Sequence, residues 1–84
     1  MSDTYSVLVG GVAHRVFTHA GNAERDAENR AAEIALATGR RAIVVVLRAG
    51  DKSQAIKRVI GTYDAPTNKV RVVWGGWVKH KEAR

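Results

Sequence analysis

The sequence has no cysteine, one proline, one methionine, and aromatic residues at only 6% of its 84 positions. Without cysteine there is no disulfide framework, no thiolate zinc site and no thiol nucleophile. Long apolar runs are also missing. The longest, "AIVVVL", falls far short of the roughly 20 residues that span a bilayer. The opening "MSDTYSVLVGG" lacks the basic segment and apolar stretch of a secretory or transit signal. The expected location is therefore cytoplasmic, with no membrane partner.

Acidic residues are scarce in one half only. Residues 1–38 hold three bases against five acids, whereas residues 39–84 hold eleven bases against three acids. The net charge of +6 is thus a property of the second half. Such asymmetry points to an anionic partner, although net charge serves solubility as well. The length fits one compact domain over residues 1–84, with a basic C-terminal tail at 79–84. A chain this short buries only about 60–65% of the surface its unfolded form exposes, so its core is thin.

Catalytic constellations are absent as well. His14 and His19 have no third ligand clearly spaced with them, and no metal site is expected. Glu24, Asp26, Glu28 and Glu33 spread around the solvent side of a predicted helix and form no paired-acid site. Gly10-Gly11 lacks the Lys-Ser/Thr and helix that a phosphate loop requires. Nothing pairs a nucleophile with a base. The expectation is a non-enzymatic protein with no catalytic residue and no cofactor.

What is present is a regular alternation of short elements. "TYSVLVGGVAHRVFT" reads as a hairpin turning at Gly10-Gly11. Pairing Val9 with Val12 puts Tyr5, Val7, Val9, Val12, His14 and Val16 on one face, the better core candidate. Ser6, Leu8, Ala13, Arg15 and Phe17 take the other. "NAERDAENRAAEIALATG" reads as a helix with Asn22 as N-cap, Glu24 and Asp26 at its positive end and Gly39 as its stop. Ala23, Ala27, Ala31, Ile34, Ala35 and Thr38 form its apolar stripe. A stripe so poor in volume requires the helix to lie close to its sheet, or to meet large side chains from it. "AIVVVL" is apolar on both faces, like a central strand. Residues 54–61 fit a strand or a short helix. The strand is preferred because "VIGTYDAPTNKVRVVW" has the form of a hairpin closed by "APTN". The predicted architecture is a two-layer α+β fold in ββαβββ order. One alanine-rich helix packs on an antiparallel sheet of four to five strands.

Pairing Asp64 with Lys69 places Val59, Gly61, Tyr63, Val70, Val72 and Trp74 on the inner face. Arg58, Ile60, Thr62, Arg71 and Val73 take the outer one. Trp74 is expected in the core, with the missing side chain of Gly61 making room for its indole. For Trp77 two readings stand. If the strand stays regular, Trp77 joins Arg58 and Arg71 outside, and Lys79 and Lys81 extend that face. If Gly75-Gly76 forms a bulge, the direction reverses and Trp77 seals the end of the core. Ile60, Val73, Leu8, Phe17 and one side of "AIVVVL" would also leave an outer apolar patch. Monomers seldom leave a large one bare.

The succession of "YSVLVGGVAHRVF", the alanine-rich helix and "RAIVVVLR" resembles the layout of several phage-encoded anti-CRISPR proteins. In those a hairpin, one helix and further strands make the whole product. The resemblance is one of architecture. These proteins share no common motif, so no functional residue carries over. It implies an inhibitor that docks on a CRISPR surveillance complex and blocks its nucleic-acid binding. The expected partner is a protein or ribonucleoprotein complex, met through Arg58, Arg71, Trp77, Lys79 and Lys81, with the inhibitor a monomer or homodimer. The alternative is a domain that binds DNA or RNA directly through its basic second half.

Overall fold

A computed structural model describes residues 3–50 and 54–79. The chain forms β1 (Thr4–Val9), β2 (Val12–Phe17), α1 (Ala20–Thr38), β3 (Ala42–Ala49), β4 (Gln54–Asp64), β5 (Lys69–Trp74) and a short β6 (Val78–Lys79). The sheet runs β2-β1-β3-β4-β5, with β6 pairing with β4, and every pairing is antiparallel. The helix packs on one face, giving the two-layer α+β arrangement expected from the sequence. The segment that fitted either strand or helix is strand, within β4.

The first hairpin turns where expected. Gly10 and Gly11 both take positive φ, 59° and 81°, and Val9 pairs with Val12. Beyond the turn the pattern departs from strict alternation. Leu8 pairs with Ala13 but Val7 pairs with Arg15, so His14 is an extra, unpaired residue. The bulge reverses every later side chain of β2. Phe17 now pairs with Tyr5 on the helix side and packs against the core. The expected assignment of Val16 and His14 to the core face is corrected: Val16 is 61% exposed and His14 lies at the surface. Strict alternation would have left the only phenylalanine in water. One inserted residue brings it inside. Arg15 follows it, with its guanidinium 5.5 Å from the Phe17 ring centroid and 4.0 Å from Asp26.

Only Thr18 and His19 join β2 to α1, so the helix begins at Ala20 rather than after Asn22. His19 occupies the cap position with extended backbone and makes no capping bond from its side chain. Asn22 is therefore not the cap, and no acid falls in the first turn. Glu24 instead pairs with Lys57 of β4 at 3.2 Å, and Asp26 with Arg30 at 2.8 Å. Gly39 ends the helix as expected. It sits in the left-handed region at φ 68°, and its N–H donates to the Ala35 carbonyl at 2.8 Å.

Ala23, Ala27, Ala31 and Ala35 are fully buried, and the largest fully buried side chains are Val7, Val44, Val46 and Val59. A stripe of methyl groups lets the helix backbone approach the sheet, most closely at Gly61. A Cβ there would lie 2.7 Å from the Ala31 carbonyl oxygen. This corrects the expectation that Gly61 makes room for Trp74. The space is filled by helix backbone, and the indole sits farther along, where Trp74 pairs with Val59. The β4–β5 register is otherwise as read, from Asp64 opposite Lys69 to Gly61 opposite Val72. Asn68 closes its turn at φ 54° and accepts a hydrogen bond from the Tyr63 hydroxyl at 2.9 Å.

Candidate docking face

Register places two very different surfaces on the sheet. The face turned away from α1 carries three rows of side chains: Ile43, Ile60 and Val73; Leu8, Val45 and Arg58; Leu47, Ile56 and Val78. Among the described residues no element covers it. Ile43 is 43% exposed, Val73 52% and Val78 53%. Leu8, Val45, Leu47, Ile56 and Ile60 between them are partly exposed, so the aliphatic surface is contiguous, and such a patch marks a candidate interaction site.

Arg58 sits in the middle row and Arg71 opposite Thr62, both exposed, as strand parity predicts. Neither has a carboxylate within ion-pair distance among the described residues. The three ion pairs there all use acids of α1, namely Glu24 and Asp26. The acid that register puts on the open face is Asp64, at its corner. It lies beside Lys69 and accepts a hydrogen bond from the Thr67 hydroxyl at 2.6 Å.

No aromatic side chain joins this face. Tyr5, Phe17, Tyr63, Trp74 and Trp77 all lie on the helix side of the sheet. Trp74 packs against the core but stays half-buried. Its indole N–H donates to Glu28, and the Lys57 ammonium stands 5.0 Å from the ring centroid.

For Trp77 the structure decides between the two sequence readings. Trp74 pairs with Val59 and Val78 with Ile56. Gly75, Gly76 and Trp77 therefore stand opposite only Arg58 and Lys57. The chain bulges by one residue, anchored by the Gly75 N–H on the Arg58 carbonyl at 2.9 Å. The bulge turns Trp77 to the helix side, where it is half-buried against the core. Arg48 lies 4.8 Å and Lys57 5.6 Å from its ring centroid, and Tyr5 stacks at a tilt of 55°. The reading that put Trp77 beside Arg58 and Arg71 is thereby corrected. Lys79 pairs with Ala55, a buried residue of the helix side, so parity separates it from Arg58 too. Lys81 lies outside the described residues.

The five residues singled out from the sequence thus divide. Arg58 and Arg71 share the open face, while Trp77 and Lys79 belong to the other side. Sequence reasoning missed Arg48 and Lys57 as partners of the indoles. The available signal was parity: each is a lone cation on the inward side of an otherwise apolar strand. Among the described residues no three His, Cys, Asp or Glu side chains gather as metal ligands. No protein-family model, curated protein or solved structure matches the chain.

Proposed function

We propose that this chain is a non-enzymatic interaction protein that docks through the open face of its sheet. In its specific form it is an inhibitor of the anti-CRISPR type, seated on a nucleic-acid-handling protein or ribonucleoprotein complex and blocking nucleic-acid binding there. The observation that carries the docking reading is the composition of the face: aliphatic side chains around arginines that have no carboxylate partner among the described residues, and no aromatic ring. Aliphatic surface gains roughly 25 cal/mol per Å² when a partner removes it from water. The inhibitor form is supported by the architectural resemblance.

Direct binding of DNA or RNA fits the same face less well. Arg58, Arg71 and Lys69 can meet phosphates, but this face offers unpaired bases no aromatic ring to stack on. The aromatic rings lie on the opposite side. Trp77 already carries Arg48 and Lys57 as cation–π partners. Capture with tagged protein before and after nuclease treatment tests the reading, with the Ile60→Asp/Val73→Asp variant as control. The expected result is one defined protein complex, unaffected by nuclease and lost with the folded variant. Recovery that vanishes with nuclease, or that the variant retains, would refute it.

A further inference from the structure

We infer that the occupant of the open face is an acidic amphipathic helix of the partner protein. This deepens the docking reading above and rests on it. Size is the first argument. The three aliphatic rows are two residues apart along each strand, so they span about 13 Å; each row crosses three strands, about 10 Å, and the rows together reach from β1 to β5 and β6, about 14 Å. A single helix with side chains is about 10–12 Å in diameter. One helix therefore covers most of the patch, as α1 covers the opposite face, and completes an α/β/α arrangement.

Charge is the second argument. Arg58 is flanked on its own strand by Ile56 and Ile60, with Val45 across from it. Any occupant that buries those side chains also takes the guanidinium out of water. A buried cation is tolerated only when it is paired and hydrogen-bonded, and among the described residues no carboxylate lies within ion-pair distance of Arg58. The occupant must bring one. Arg71 lies four residues farther along and one strand over, roughly 14 Å from Arg58 by strand geometry. It asks for a second carboxylate about two and a half helical turns from the first. The two-pronged guanidinium suits carboxylates in particular.

A second copy meets this demand poorly. Two open faces stacked about a two-fold axis bring four arginines into one layer, and among the described residues only the corner Asp64 of each copy stands on that face to answer them. A nucleic acid supplies anions but no aliphatic stripe to pack on Ile60, Val73 and Val45.

Two synthetic helical peptides with the same leucine stripe serve as probes, one flanked by glutamates and the other by lysines. Each is titrated into the labelled protein at physiological salt while backbone amide shifts are followed. The glutamate peptide should move the amides of Val45, Arg58, Ile60 and Val73, and should bind about tenfold or more tighter than the lysine peptide. Arg58→Gln with Arg71→Gln should abolish that preference while leaving the circular dichroism spectrum unchanged. Equal binding of the two peptides, or shifts confined to α1, would overturn the inference. If the capture experiment still yields a complex that Ile60→Asp/Val73→Asp loses, the docking face stands and only the helical occupant fails. A sedimentation-detected dimer that Ile60→Asp/Val73→Asp dissociates would make the occupant a second copy. Shifts of the same amides by random-sequence RNA would make it a nucleic acid.

Discussion

Gly61 is the residue at which helix and sheet backbones meet. A methyl group there would sit 2.7 Å from the Ala31 carbonyl, which belongs to helix backbone and cannot swing aside. Gly61→Ala should therefore push α1 off the sheet and cost about 1–3 kcal/mol. An unchanged urea midpoint would contradict the contact. The tryptophans make a second case. The sequence leads one to expect a buried Trp74 and leaves Trp77 open. Both are half-buried on the helix side, each held by cations and each packed on the core. Trp74→Ala and Trp77→Ala should then destabilise comparably, by about 2–4 kcal/mol, somewhat less than for fully buried rings. Iodide should quench the two indoles to a similar extent in single-tryptophan variants. Strong quenching of Trp77 with none of Trp74 would restore the exposed arrangement.

At the scale of elements, two single-residue bulges decide which side chains face the helix. Alternation and turn chemistry made the β4–β5 hairpin legible down to its register, because "APTN" fixes the turn and Asp64 and Lys69 follow from it. The alanine stripe likewise announced a helix lying close on its sheet. The bulges at His14 and at Gly75-Gly76-Trp77 have weaker signals. A strand gains a residue when doing so buries a ring, and that gain depends on where the helix lies, which local sequence does not encode. The helix start was hidden for a similar reason: a two-residue connection, not a capping side chain, sets it. Deleting His14 should remove the bulge yet keep Arg15 opposite Val7 and Phe17 opposite Tyr5 on the helix side, so the domain should stay folded, within about 1 kcal/mol of the parent. His14→Ala, which keeps the bulge, should stay within about 0.5 kcal/mol of the parent. A deletion that unfolds the domain or exposes Phe17 would contradict this account of the bulge.

At the scale of the whole molecule, the uneven charge of the sequence becomes an uneven distribution between layers. Glu24, Asp26, Glu28 and Glu33 belong to α1, where Glu24 and Asp26 are engaged in ion pairs. Arg58 and Arg71 stand on the opposite side among aliphatic residues. The sequence showed the charge asymmetry and the apolar outer strand positions. It could not show that Phe17 and Trp77 join the other rings on the side away from the arginines, since that follows from the bulges. Their separation is the central point. It leaves a face suited to burying an apolar, acid-bearing protein surface and poorly suited to stacking bases. The most direct measurement is a titration of the purified protein with random-sequence duplex DNA, single-stranded DNA and RNA from low to physiological salt. The account predicts weak association at low salt only, falling with a log–log slope of about −0.7 to −0.9 per phosphate contact and gone at physiological salt. Submicromolar binding at physiological salt that disappears when Arg58 and Arg71 are both changed to alanine would contradict it.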